Sequence, residues 1–366
     1  MTSYSRIPWR GIVVAPLLYL LIGGLAFAIE PCQFDQVAPK TRPNSEAGPT
    51  EVRIGVFIFD LAGIDVKTGE FTLDFLAAFS WQDPRLGELL KKTGRKICQI
   101  PIDAIWNPNM IPVNARVVKD ELPLIVYIHP DGSVRGKQRK SGTFDVPFNL
   151  VDFPMDTQTL RVTYLSLGYG PDELKFVWEG VGRAESFSQT GFRVKLGRGT
   201  QGTYMLDIRP EQAGEKATES STDKPSNSAV ALARFDFEME VTRDLAFYFW
   251  KIILPLFVIV LTSGSVFMID PSQLGIQVGI GTSMLLTIIA FLFSLQNLLP
   301  AISYLTRLDI FVYSSLVVVF LVFVEALVSC TLAAHGKEAL AHRLDWWSRR
   351  LYPLGYAMVI TRFFWV

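Results

Sequence analysis

The sequence predicts an α+β membrane protein in which a β-sandwich domain precedes a bundle of four membrane-spanning helices. Charge is spread unevenly, since only 12 of the 70 charged residues lie in residues 245–366. The first 244 residues alternate short apolar runs with turn signals, whereas the remainder consists mainly of long apolar runs. These patterns are typical of a water-exposed β domain and of helices that cross a bilayer.

Composition excludes several classes of function. Lys plus Arg and Asp plus Glu both number 35, so no basic excess is available to bind nucleic acid. The 26 phenylalanines and 8 tryptophans exclude a disordered chain. The sequence has no nucleophile motif, phosphate-binding loop or metal-ligand spacing, so we expect no enzyme activity, metal or cofactor.

The N-terminus has the layout of a secretory signal peptide. Arg6 and Arg10 precede an apolar run over residues 11–25, and Ala26-Phe27-Ala28 supplies a small-x-small cleavage site. We predict that residues 1–28 are removed and that the next domain lies in the periplasm, outside the inner membrane. The alternative is a first transmembrane helix, for which this run is short.

Residues 29–244 are predicted to form the β-sandwich. Strand-like apolar runs occur at 52–59, 71–79, 122–128 and 160–165. Polar residues separate Phe235, Phe237, Met239 and Val241, as expected for a strand with one buried face. We predict loops at 33–50 and 211–228.

The three cysteines leave alternatives open. Cys32 and Cys98 would lie in an oxidising compartment, and their spacing does not decide whether they pair. Cys330 falls in a membrane segment, where we expect it to be a packing residue.

Residues 245–366 are predicted to form four spans, at 245–269, 274–299, 308–334 and 344–366. Each is near the roughly 20 residues that cross the hydrocarbon core. Lys337, Arg343, Arg349 and Arg350 are assigned to the connection between the third and fourth spans, which the positive-inside rule places in the cytoplasm. An external β domain requires an odd number of crossings before that connection, and three spans satisfy this.

The second span is unusually rich in small and polar residues. One stripe at helical spacing contains Gly279, Ser283, Leu286, Ala290, Phe293 and Asn297. Such residues are costly against lipid but suit a face that lines water. Several copies around an axis would enclose a pore, whereas in a monomer the stripe would be a helix-packing face.

Several motifs resemble those of the pentameric ligand-gated ion channels, in particular prokaryotic members without the Cys-loop disulfide. The matching residues are Trp81-Gln82-Asp83-Pro84-Arg85-Leu86, Trp106-Asn107-Pro108, Phe153-Pro154-Met155-Asp156-Thr157-Gln158, Gly168-Tyr169, Arg243 and Pro255. The resemblance covers nearly all of the chain after the predicted signal peptide.

This resemblance implies a homopentamer in the bilayer, with an extracellular β-sandwich and a central pore lined by the second helix of each subunit. It implies that a stimulus at the β domain opens the pore to permeating ions. Asp65, Asp156, Arg243 and Pro300 are the residues expected to couple the two domains, with an ion pair from Arg243 to Asp156 or Asp65. The stimulus is expected to be a small ligand, a proton or a divalent cation.

The sequence also departs from the family pattern. Val146 and Leu160 occupy the Cys-loop positions, so we expect packing rather than a disulfide to hold that loop. The aromatic cage that binds amines in many relatives is largely absent, because Ile111, Leu167 and Leu76 stand at its positions. The remaining candidate ligand contacts are Trp106, Tyr127, His129, Tyr169 and Arg209.

No motif in the sequence indicates which ions would pass the pore. The inner pore mouth, Leu274-Gly275-Ile276-Gln277, has neither the glutamate of cation channels nor the Pro-Ala-Arg segment of anion channels. We expect monovalent cations, because several prokaryotic relatives conduct them. The alternatives are an anion-selective channel of the same family, or a membrane-anchored periplasmic sensor or assembly protein without conduction.

Overall fold

The computed structural model describes residues 38–207, 229–270, 272–295 and 301–365. The predicted signal peptide, Cys32 and the predicted loop at 211–228 lie outside these ranges. Three predicted site residues also lie outside them, namely Arg209, Asn297 and Pro300.

Twelve strands of the described residues form two sheets. In chain order they are β1 (Thr50–Asp65), β2 (Glu70–Gln82), β3 (Cys98–Pro101), β4 (Met110–Pro112), β5 (Ala115–Asp120), β6 (Ile125–Ile128), β7 (Ser133–Asp145), β8 (Thr157–Ser166), β9 (Leu174–Arg183), β10 (Phe192–Lys195), β11 (Gly199–Asp207) and β12 (Ala229–Arg243). The first sheet has the order β3-β6-β7-β2-β1-β9, with β5 paired to β7. The second has the order β10-β12-β8-β4, with β11 paired to β12. The predicted β-sandwich is therefore confirmed.

Aromatic side chains fill the space between the sheets. Phe71 and Phe75 of β2 and Phe235 and Phe237 of β12 are each about 1% exposed. Burying one such side chain stabilises a fold by about 1.5–3 kcal/mol. On the polar face of β12, Asp236 is buried rather than wet, because it accepts hydrogen bonds from Thr163 (2.7 Å) and Arg234 (3.0 Å).

A short helix interrupts the all-β pattern. Helix α1 (Pro84–Lys92) follows β2 and buries Leu86 and Leu90 against the sandwich. Asp83 caps its first turn by accepting a hydrogen bond from the backbone N–H of Arg85 (3.1 Å). An N-cap aspartate followed by proline at the first helical position is a start signal that the strand-based prediction overlooked.

Two cysteines are described. Cys98 is buried at the start of β3 and is disulfide-bonded, whereas Cys330 is free and buried in the helix bundle.

Four long helices follow the sandwich. They are α2 (Leu245–Met268), α3 (Leu274–Leu295), α4 (Arg307–Ala334) and α5 (Glu338–Trp365). Among the described residues, α2, α3 and α4 are long and apolar enough to cross a membrane. A π-helical turn over Phe249–Ile253 lies just before Pro255 in α2, which relaxes the backbone where proline removes a donor.

The predicted boundary of the fourth helix was wrong. α5 begins at Glu338, so only residues 335–337 connect it to α4. Arg343, Arg349 and Arg350 therefore lie on the helix rather than in a loop. A helix can extend past the hydrocarbon core and carry charge on its first turns, and hydropathy alone does not reveal this.

The core of the helix bundle extends into the β domain. Leu150 and Phe153, from the loop between β7 and β8, are buried together with Leu256 and Val260 of α2 and Phe311 of α4. This loop, residues 146–156, is called the junction loop below. It joins the two domains through shared apolar packing.

Candidate pore and domain junction

A buried ion pair lies where the sandwich meets the helices. Arg243 ends β12, and Asp156 ends the junction loop just before β8. The Arg243 guanidinium donates from Nε to Asp156 Oδ1 (2.7 Å) and from Nη2 to Oδ2 (3.1 Å). Both residues are buried, at 6% and 3% exposure, so this bidentate pair is shielded from water.

The surroundings of Arg243 hold it in its charged form. Its guanidinium carbon lies 4.8 Å from the Phe153 ring, 4.7 Å from Phe192 and 5.8 Å from Tyr248. Burial lowers the pKa of Arg243, but the hydrogen bond and charge of Asp156 outweigh it and raise the pKa above its ordinary value. Sequence reasoning missed Phe192 and Tyr248, because contacts from separate elements leave no local signal.

The junction loop also binds the start of α4. The backbone N–H groups of Arg307 and Leu308 donate to the carbonyls of Val151 (2.8 Å) and Phe153 (3.0 Å). The N–H of Leu150 donates to the Tyr304 hydroxyl (3.1 Å). The junction loop therefore contacts the end of β12 on one side and the first turn of α4 on the other.

Asp65 is placed differently from Asp156. It lies at the tip of the β1–β2 hairpin, where Oδ1 accepts hydrogen bonds from the N–H groups of Lys67 (2.8 Å) and Thr68 (3.3 Å). Of the two carboxylates expected near Arg243, the structure brings Asp156 to it.

The predicted stripe of α3 faces outward from the single chain. Gly279, Ser283 and Ala290 are exposed, and Leu286 and Phe293 are 66% and 62% exposed. The Ser283 hydroxyl donates to the carbonyl of Gly279 (2.8 Å), so its hydrogen-bonding need is met within the helix. This face is available to water or to another subunit without leaving an unpaired donor.

The opposite face of α3 is fixed to the bundle. Gln277 is 1% exposed, donates from Nε2 to the carbonyl of Ile269 (2.7 Å) and accepts from the Cys330 thiol (3.1 Å). One turn further, Gly281 packs against Phe323 of α4. These contacts set the rotation of α3 and direct its stripe of small residues away from the other helices.

Comparison with known families identifies both domains. Residues 34–226 match the neurotransmitter-gated ion-channel ligand binding domain, and residues 252–353 match the neurotransmitter-gated ion-channel transmembrane region. The chain belongs to the pentameric Cys-loop ligand-gated ion channels. Channels of this family are pentamers that span a membrane and place the N-terminal domain outside the cell.

Individual relatives of the chain are distant. Glycine receptor subunit beta from Rattus norvegicus is 25% identical over 314 residues, which cover 83% of this chain and 60% of that subunit. The chain therefore spans about three-fifths of the length of that relative. A proton-gated ion channel from Gloeobacter violaceus is 23% identical over 357 residues, covering 97% of this chain and 92% of the relative.

The ligand contacts predicted from the sequence fall into two groups. Trp106 is 3% exposed and donates from Nε1 to the Tyr169 hydroxyl (2.8 Å), so it belongs to the sandwich core. Tyr127 lies on β6 at 36% exposure, and His129 lies in the turn that follows. The structure thus joins Trp106 to Tyr169, and it places Tyr127 in the first sheet and His129 in the turn after β6.

The described extracellular domain also has a charged cavity that sequence reasoning missed. Its volume is about 530 Å³, and its lining includes Arg53, Arg135, Lys137, Glu51 and Glu179. These side chains come from β1, β7 and β9, so their proximity depends on sheet order. In the described part of the chain, no group of His, Cys, Asp and Glu side chains is suited to hold a metal ion.

Proposed function

We propose that five copies of this chain form a ligand-gated channel for monovalent cations in the inner membrane of the cell. In this proposal α3 of each subunit lines the pore, and the β-sandwich senses the stimulus in the periplasm.

The exposed faces of α3 and α4 differ in composition, and this difference is the main support for the proposal. The exposed positions of α4 include Ile310, Val317, Phe320, Leu321 and Val328, which suit lipid. The exposed stripe of α3 is instead built largely from small and hydroxyl-bearing residues. A face of that kind fits a water-filled axis better than the acyl chains of a bilayer.

Leu286 and Phe293 are proposed as the gate. They are large, apolar and exposed on the stripe, so five copies would form two hydrophobic rings. Such rings close a pore by excluding water, and widening them restores conduction. The described stripe contains no charged side chain, so selectivity would depend on pore width, hydration and the electrostatic field of the vestibule.

Coupling is proposed to pass through the junction loop. A stimulus that changes packing in the sandwich would move Asp65 and Asp156, and the Asp156–Arg243 pair would carry the movement to α2. Backbone contacts of the junction loop with Arg307 and Leu308 would carry it to α4. Pro300, between α3 and α4 in the sequence, is proposed to belong to the same coupling region.

The gate proposal is tested by recording from the purified protein in planar bilayers. We expect Leu286→Ser to raise the resting open probability by at least about tenfold, because a polar ring keeps the constriction wet. Leu354→Ser on α5 is the matched control, since Leu354 is 67% exposed and lies outside the stripe. A closed state unchanged by Leu286→Ser would exclude Leu286 as the gate.

The same recordings test ion selectivity. In a KCl gradient, a cation channel reverses near the potassium equilibrium potential, and an anion channel reverses near that of chloride. Protons, divalent cations and small amines are the stimuli to apply first. Protons are included because one relative is a proton-gated ion channel.

A further inference from the structure

The charged cavity of the β domain lies on the outward face of the first sheet, and it is called the trough below. Its floor is strand β2, where Ala78 and Ser80 have short side chains. Arg53 on β1 pairs with Ser80, and Ser80 pairs with Arg135 on β7, so the three residues form one row across the sheet. Residues directly opposite each other on neighbouring strands share a face of the sheet. The trough therefore has a low centre and an exposed cation on each side.

The neighbouring row adds a third cation. Ala78 pairs with Gly55 on β1 and with Lys137 on β7. Gly55 has no side chain, so this part of the trough is open on the β1 side. Lys137 lies two residues after Arg135 and on the same face of β7, because side chains alternate along a strand. The three cations thus surround one volume of about 530 Å³.

These cations have no bonded counter-charge. None of the three forms an ion pair or a side-chain hydrogen bond with another residue that the structure describes. Three acids also line the trough, and two of them are engaged elsewhere. Glu51 lies 3.9 Å from Lys175, and Asp131 accepts from the N–H (2.9 Å) and the hydroxyl (2.8 Å) of Ser133. The centre of the trough is therefore positive and open to an anion.

An anion above Ser80 would meet donors from three directions. Neighbouring strands are about 4.8 Å apart, so the Cα atoms of Arg53 and Arg135 are roughly 10 Å apart across β2. Each arginine side chain is long enough to span half of that distance, and the Ser80 hydroxyl can donate from the floor. A carboxylate has two oxygens that match one arginine, whereas a phosphate ester has three strong acceptor oxygens and a larger negative charge. The arrangement therefore fits phosphate better than carboxylate.

The remaining lining of the trough indicates the rest of the ligand. Gln82 donates from Nε2 to the carbonyl of Asp131 (2.7 Å), so its side-chain oxygen is free to accept. The Glu179 carboxylate also offers acceptor oxygens. Phe79 and Trp81 line the cavity but are 5% and 3% exposed, so neither ring offers a face on which a nucleotide base could stack. Acceptors without an aromatic face suit the hydroxyl groups of a sugar.

We propose that the trough binds a sugar phosphate. Its phosphate would accept hydrogen bonds from Arg53, Ser80 and Arg135, with the lysine beside it. Its hydroxyl groups would donate to Gln82 and Glu179. The site does not depend on the proposed pore, and binding is measured without recording current.

The test uses the full chain in nanodiscs of phosphatidylcholine, with radiolabelled glucose 6-phosphate as the probe. We expect saturable binding above empty nanodiscs, with glucose competing at least about a hundredfold more weakly and inorganic phosphate about tenfold more weakly. Arg53→Gln and Arg135→Gln should each weaken binding at least about tenfold, and Ser80→Ala about threefold. Lys119→Gln is the matched control, which should leave binding unchanged. It loses the same charge from a side chain that is 75% exposed on β5 of the same sheet.

A steric variant makes the test independent of charge. Ala78→Ile places a β-branched side chain on the floor of the trough, and strands favour such residues, so it should fold normally and abolish saturable binding. Full binding by Ala78→Ile, unchanged binding by Arg53→Gln and Arg135→Gln, or an equal loss in Lys119→Gln would each overturn the proposal. Equal competition by inorganic phosphate and glucose 6-phosphate would overturn the assignment of a sugar.

Discussion

The domain junction and the helix bundle each bury a carboxylate, but they treat its charge differently. At the junction, Asp156 has a bidentate arginine and a third hydrogen bond from Gln158 (2.6 Å). In the bundle, Asp345 has a serine hydroxyl and a second acid, Glu325. The charges at the junction therefore balance, whereas the two acids in the bundle face each other. Removing the carboxylate should therefore destabilise the protein at the junction and stabilise it slightly in the bundle.

The largest effect is expected at the junction. Asp156→Asn leaves the buried Arg243 guanidinium without a counter-charge, and breaking a buried pair in this way costs roughly 3 kcal/mol or more. We expect a marked fall in the thermal midpoint of the purified protein. The double variant Asp156→Asn with Arg243→Gln should recover part of the loss, because no charge then stays buried alone.

The fall in thermal midpoint caused by Asp156→Asn should not depend on pH between about 5 and 9. A group whose folded pKa is raised contributes stability below its unfolded pKa and loses that stability as pH rises through the folded value. Arginine has an ordinary pKa far above neutral, and Asp156 raises the pKa of Arg243 further, so this stability is lost only at strongly alkaline pH. Equal thermal midpoints for the wild type and Asp156→Asn would remove the distinction between the two sites.

A smaller effect of opposite sign is expected in the bundle. Asp345→Asn keeps an oxygen that accepts from Ser329 and removes one member of the uncompensated acid pair. Two carboxyl groups held close together disfavour each other's charge, so removing one of them relieves an unfavourable contact. We expect the thermal midpoint to rise slightly. A fall as large as that of Asp156→Asn would show that the bundle carboxylates have a counter-ion in the assembled protein.

The smallest effect is expected at an exposed pair in the same junction loop. Asp152 pairs with Arg307 at 2.5 Å, but its side chain is 59% exposed. Exposed ion pairs contribute about 0–1 kcal/mol, so Asp152→Asn should change the thermal midpoint little. Because Asp152 and Asp156 lie four residues apart, this variant is the matched control for burial. A large loss would mean that contacts outside the single chain bury this ion pair.

Much of the architecture follows from local patterns. The alternation of Phe235, Phe237, Met239 and Val241 predicted β12, and the long apolar runs predicted α2, α3 and α4. Local patterns failed to predict secondary structure where charged residues lie within a helix. Arg343 and Arg349 suggested a loop, although the helix continues through them.

The candidate sites were only partly predictable. Asp156 and Arg243 came from a family motif, since 87 residues separate the two side chains in sequence. The contact between Glu325 and Asp345 depends on how α4 and α5 rotate against each other, and the low amphipathicity of buried helices conceals that rotation. The same limit applies to Phe192 and Tyr248 around Arg243.

The first turn of α4 has a consequence for how the protein is made. A helix begins with four N–H groups that lack partners in the helix. In α4, the N–H of Thr306 donates to the Asp309 carboxylate (2.9 Å) and that of Asp309 to the Thr306 hydroxyl (3.1 Å), while Arg307 and Leu308 donate to the junction loop. That loop is translated about 150 residues earlier, so its carbonyls exist before α4 leaves the ribosome. The extracellular domain can therefore serve as a template on which the third membrane helix starts at a fixed residue.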